Sequence, residues 1–119
     1  MSSPSSFNVG DIVFVDLEPV KGHEQGRNRP CVVVAIPTKQ SSGRGHFNLL
    51  IVVPLTSRER RWWTVVKIPN QSGLISVSYA LCHQIRSIST KRVLNTTGAI
   101  RNKDLMKIRI VLGGVLSIP

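Results

Sequence analysis

Through most of the chain, apolar and polar residues alternate in short blocks, and helical spacing emerges only near the C-terminal end. Val9–Leu17 switches between apolar and polar residues with a period of two, the pattern of a strand with one face in a core. Cys31–Ile36 is instead a continuous run dominated by β-branched residues, as expected of a strand buried on both faces. Phe47–Pro54, Trp62–Ile68, Leu74–Leu81 and Gln84–Ser89 read as further short strands, with Pro69–Gly73 a turn between two of them. Adjacent Trp62 and Trp63 would then point to opposite faces of their strand, leaving one exposed. Beyond Arg101 the spacing changes. Leu105, Ile108, Leu112 and Val115 recur on one helical face, Asn102 suits a cap and Asp104 a first turn, predicting a helix over about 102–117. Gly113 and Gly114 inside it cost about 1 kcal/mol each relative to alanine, so the helix either packs very closely there or ends early.

Several short strands around one core, followed by a single helix, predict a mainly β fold: a small antiparallel barrel or sandwich rather than an alternating α/β sheet. The 119 residues suffice for one core without metals or disulfides and are too few for two. We read residues 1–7 as a flexible N-terminal tail and 8–119 as the single domain. The tail has neither the charged n-region nor the apolar h-region of a secretory signal. No apolar run approaches the roughly 20 residues needed to cross a bilayer, so a cytoplasmic protein without membrane partners is expected. Cys31 and Cys82 sit inside apolar segments with no CxxC spacing, which suits reduced core thiols and argues against a metal site. Pro37–Gly45 reads as a long mobile loop.

Charge sharpens the picture. The chain has 16 Lys+Arg against 6 Asp+Glu, a net +10, and four of the acids (Asp11, Asp16, Glu18, Glu24) fall in its first quarter. Only Glu59 and Asp104 follow, so much of the basic field from Gln25 to Lys103 must be directed outward, which favours a polyanionic partner, nucleic acid first. Between two predicted strands, Gly22–Pro30 packs His23, Glu24, Gln25, Arg27 and Arg29 into one short polar stretch. Loops held by rigid elements are where binding and catalytic groups concentrate, and these side chains are suited to handling a phosphate.

The ordered set Gly10–Val13, Gly22–Gln25, Arg29–Pro30, Pro54–Ser57 and Gln84–Ile88 resembles the MazF/PemK/Kid family of toxin endoribonucleases from bacterial toxin–antitoxin modules. The resemblance spans nearly the whole chain. It implies an SH3-like antiparallel β-barrel closed by a C-terminal helix, a homodimer, and metal-independent, cofactor-free cleavage of single-stranded RNA at short sequences. It further implies that Arg29 and Thr56 carry the chemistry, with an acidic, partly disordered antitoxin as protein partner. Metal-free cleavage uses the substrate's own 2′-OH as nucleophile and leaves a 2′,3′-cyclic phosphate and a 5′-OH. Arg29 suits stabilisation of the phosphorane through its planar fork, and Thr56 suits donation of an aimed hydroxyl to the same phosphate. His23 has the pKa range to move protons at neutral pH, or else merely orders its loop; some relatives use a histidine there. Glu24 and Gln25 are supporting groups.

RNA contacts are expected from Lys21, Arg27, Ser57, Arg58, Arg60, Arg61, Gln84 and Arg86, with Trp62 or Trp63 available either to stack a base or to pack in the core or at a subunit interface. The chain departs from the family at His83, where relatives often carry an acid; the imidazole can be an alternative base, a phosphate contact or an ordinary strand-junction histidine. Two other function classes are compatible with such a fold: a non-catalytic interaction toxin of the gyrase-poison type, and an RNA-binding barrel that does not cleave. Arg29 and Thr56 together favour the nuclease, because neither rival needs a phosphate-activating pair.

Overall fold

The computed structural model describes residues 6–17, 22, 27–40, 48–71 and 73–119. The alternating N-terminal segment forms β1 (Asp11–Asp16), antiparallel to β2 (Asn28–Ala35), which pairs with β3 (Leu49–Thr56). β4 (Val65–Ile68), β5 (Ser78–Leu81), β6 (Arg86–Ser89) and β7 (Val93–Ala99) follow, and α2 (Asn102–Val115) ends the fold. The strands run β4-β5-β3-β2-β1-β7 through the sheet. β3 serves two partners on one of its edges: Leu49–Val52 pair with β6, whereas Leu55 and Thr56 pair with β5. This branching bends the sheet into the expected mainly β, SH3-like antiparallel barrel with its C-terminal helix.

β2 is buried on both faces, as its β-branched run requires. Val32 and Val34 join Ile12, Val53, Leu55 and the α2 residues Leu105, Ile108 and Leu112 in one cluster. Cys31 and Val33 join Val13, Val15, Leu50, Val52 and Ile88 in the other. Phe7, just before the domain start expected at residue 8, is buried in that second cluster.

Other expectations are corrected. Residues 37–40 form a short helix, α1 (Pro37–Gln40), where a loop was expected; proline at its first position loses no hydrogen bond and has the right φ. β7 was not anticipated: its Asn-Thr-Thr-Gly composition gives no apolar alternation, and it is an exposed edge strand held through β1. The two tryptophans precede β4 in a turn closed by Val65 N–H donating to the Trp62 carbonyl (3.0 Å), so both are exposed, at 55% and 70%. Trp63 nonetheless lies on the helix. A Cβ on Gly114 would come within 3.2 Å of its ring, whereas one on Gly113 would meet nothing.

Asn102 is the first helical residue of α2, not its cap; Arg101 occupies the cap without a side-chain bond. Asp104 is fully buried, and its Oδ2 accepts from Gln71 Nε2 (3.0 Å) and Arg101 Nε (3.3 Å). The helix stops at Val115 rather than 117 because Ser117 takes a left-handed conformation (φ 56). Its N–H donates to the Gly114 carbonyl (3.1 Å) and the N–H of Ile118 reaches back to the Gly113 carbonyl (2.8 Å), a Schellman closure made without the usual glycine.

Candidate active site

Two prolines shape the site. Pro30 on β2 and Pro54 on β3 lack N–H donors, and the β2–β3 ladder ends at the Cys31–Pro54 pair. Two residues further along the same antiparallel register stand Arg29 and Thr56. Arg29 lies on β2 itself, paired with Val15, because pairing with β1 persists to Asp16–Asn28; it belongs to a strand and not to the preceding loop. Thr56 closes β3, opposite Tyr79 of β5, and is only 3% exposed.

Arg29 and Thr56 line one cavity of about 380 Å³. Phe14, Leu55 and Leu74 supply apolar walls, and the hydroxyl residues Ser57, Ser76, Ser78 and Thr97 surround them. Among the described residues, Arg29 is the one charged side chain lining this space. Thr56 Oγ1 accepts the Arg58 N–H at 3.2 Å, which fixes the oxygen at the strand end while leaving the hydroxyl proton available to donate. The local turn contact and an outward-directed donor are therefore compatible in one side chain. A cation with a planar donor fork and an aimed hydroxyl, in a mostly apolar cleft, suit a phosphodiester oxygen pair.

The remaining predicted site residues divide. His23, Glu24, Gln25 and Lys21 lie outside the described residues. Arg27 is described: it is exposed, has φ 61, and its carbonyl accepts the Leu17 N–H (3.1 Å), closing the base of the loop that leaves β1. Ser57 lines the cavity beside Thr56. Arg58 and Arg61 are exposed on the connection after β3; Arg61 bridges Glu59 at 3.5 Å, and such an exposed pair is worth about 0–1 kcal/mol. Arg60 lies over the Trp62 ring, 5.7 Å from its centre. Arg86 does not line the cavity: its guanidinium donates to the Leu17 carbonyl at 3.5 Å, and Arg92 donates to that of Asp16 at 3.2 Å, so two cations hold the end of β1. Gln84 lies in a 3-10 turn (Cys82–Gln84) away from the cavity lining.

His83, in that same turn, is at the opposite end of β5 from Ser78 and the cavity. Its Nδ1 lies 2.8 Å from Thr64 Oγ1, Trp62 meets its ring edge-on at 5.5 Å, and burial lowers its pKa below the usual histidine value. His83 is exposed at the strand junction and does not line the cavity. Both cysteines are reduced and buried; burial pushes the Cys31 thiol up to about 12, with Arg86 opposing, and the Cys82 thiol likewise to about 12. The far wall, Gly73–Ser78, was not anticipated because Leu74–Leu81 alternates like a strand; it begins as a loop at Gly73, whose backbone takes φ +94.

Fold and cavity together define a small helix-closed β-barrel protein with a mostly apolar cleft that one arginine and several hydroxyl residues line. Residues 8–116 match the model of the PemK-like, MazF-like toxins of type II toxin–antitoxin systems. The chain is 35% identical over 105 residues to endoribonuclease MazF9 of Mycobacterium tuberculosis, covering 83% of this chain and 86% of that protein. The crystal structure of MazF from Deinococcus radiodurans superposes with a TM-score of 0.77 at 26% identity, covering 93% of this chain and 96% of that one. A MazE–MazF structure from the same organism gives 0.71 at 25% identity, covering 94% and 96%. The chain belongs to the PemK-like, MazF-like family of type II toxins.

Proposed function

We propose that the protein is an endoribonuclease that cleaves single-stranded RNA at selected sequences and acts as the toxin of a toxin–antitoxin pair. The observation that carries this reading is the common cavity of Arg29 and Thr56 at neighbouring strand ends. The substrate's 2′-oxygen attacks the adjacent phosphorus as a base removes its proton; the P–O5′ bond breaks and the 5′-oxygen takes up a proton. The products are a 2′,3′-cyclic phosphate and a 5′-OH. Arg29 neutralises the charge that builds on the non-bridging oxygens, and Thr56 donates to one of them. His23, at the end of the polar stretch, is the proton carrier in this scheme. Because the side chains supply the charge stabilisation, the reaction proceeds without a metal.

The net charge of +10 supports a polyanionic substrate and an acidic antitoxin that competes for the same groove. The apolar residues Ile110, Leu116 and Ile118, left exposed on and after α2, support pairing of two copies. The test is incubation of purified protein with a long single-stranded RNA in EDTA, beside an Arg29→Ala variant. Discrete fragments from the parent and none from the variant are expected. Cutting by both would expose a contaminant, and cutting by neither, with the parent folded, would remove the nuclease assignment.

A further inference from the structure

The far wall of the cavity carries a residue that the fold does not use. Ile75 lines the cavity and is 100% exposed, so its side chain buries nothing in the protein itself. Its loop is nevertheless firmly held. Gly73 takes φ +94 and lies so close to β7 that a Cβ would come within 2.9 Å of Gly98 Cα. Its carbonyl accepts Thr97 Oγ1 at 3.0 Å, and Leu74 N–H returns to the Gln71 carbonyl at 3.0 Å. Gln71 is in turn tied to buried Asp104 of α2. On the other side, Ser78 Oγ donates to the Ser76 carbonyl at 3.1 Å as β5 begins. Leu74 turns inward against the core cluster, so Ile75 is presented outward from an anchored loop.

We infer that one unpaired base of the RNA packs against Ile75 when its phosphate sits on Arg29 and Thr56, making the Gly73–Ser78 loop a determinant of which base the cavity accepts. The inference rests on the ribonuclease reading. A base needs an apolar surface beside polar groups that can meet its edge, and Ile75 is flanked along the cavity by Ser76, Ser78 and Thr97. Ile75 shares its cavity with Arg29 and Thr56, the pair assigned to the RNA phosphate, which favours a base over a protein surface docking on the lone isoleucine.

Substitution of a fully exposed side chain leaves stability nearly unchanged, so Ile75→Ala is a clean probe. With a short RNA containing a mapped cut site, Ile75→Ala should raise KM by roughly 5- to 20-fold with kcat within about 2-fold, and relax base preference at one position beside the cut. Ile75→Leu should restore both. A parent that cleaves alongside an Ile75→Ala variant of unchanged KM and base profile overturns the inference alone. The same holds for a variant that loses only kcat, or one altered only in self-association or antitoxin binding, which would make Ile75 a protein contact. A parent that neither cleaves nor binds the RNA overturns the ribonuclease reading and the inference with it.

Discussion

Replacing Thr56 by valine removes one hydroxyl and almost nothing else. The two side chains are isosteric and β-branched, the site is 3% exposed, and the methyl that replaces the hydroxyl meets the same neighbours. The fold loses the contact from Arg58 N–H to Thr56 Oγ1 (3.2 Å), but Arg58 is exposed and its amide can turn to water. The net stability change should therefore stay within about 1 kcal/mol. The catalytic cost is larger. A preorganised donor aimed at charge developing in the transition state is worth about 10²–10³ in kcat, or roughly 3–4 kcal/mol. Arg29 remains to hold the ground-state phosphate, so KM should change by less than about 3-fold. Thr56→Ser keeps the hydroxyl but loses the rotamer restriction of the β-branch, and should fall between the two. Single-turnover cleavage of a mapped RNA, with a urea melt of each variant, separates these effects. Cleavage by Thr56→Val within about 3-fold of the parent would refute the donor role. So would a stability loss of about 3 kcal/mol or more, which would make the hydroxyl a structural group.

Three further outcomes follow from other parts of the molecule. Ser117→Gly should stabilise the fold by about 0.5–1 kcal/mol, read as a higher urea midpoint, because the left-handed position at the end of α2 strains any side chain. The cysteine thiols, raised from 9.0 to about 12 in the folded chain, stay neutral where unfolded thiols ionise. Their contribution to stability is thus complete below about pH 9 and is lost as pH rises from there towards 12; urea melts at pH 8 and 10.5 should show the decline, and a Cys31→Ala, Cys82→Ala chain a shallower one. RNA binding should weaken steeply with salt: about four neutralised phosphates give a log–log slope near −3 for single strands, and a flat response would contradict the basic-groove argument.

The sequence made the barrel legible where burial writes itself into composition. The β-branched run of β2 and the i, i+3, i+7 spacing of Leu105, Ile108 and Leu112 could satisfy no other environment. It failed where hydrogen bonding acts without an apolar signature. β7 is an edge strand recruited by β1, and α2 ends on a serine in a glycine's conformation. Arg29 and Thr56 were readable as a motif, but their shared cavity depends on Pro30 and Pro54 ending one ladder and on a loop from 73 to 78 closing the far side. Those relations lie between strands distant in sequence, which periodicity cannot report. Arg86, read as an RNA contact, reaches the backbone carbonyl of Leu17 just past β1, a contact between segments far apart in sequence.

In the proposed reaction, Arg29 and Thr56 act together on one phosphodiester attacked by its own 2′-oxygen. The most direct measurement replaces the single nucleotide 5′ to a mapped cut with its 2′-deoxy counterpart and follows binding and cleavage of that RNA by the parent protein. Binding within about 3-fold of the all-ribose substrate and no cleavage at that position are expected. Cleavage of the 2′-deoxy site would contradict that reaction.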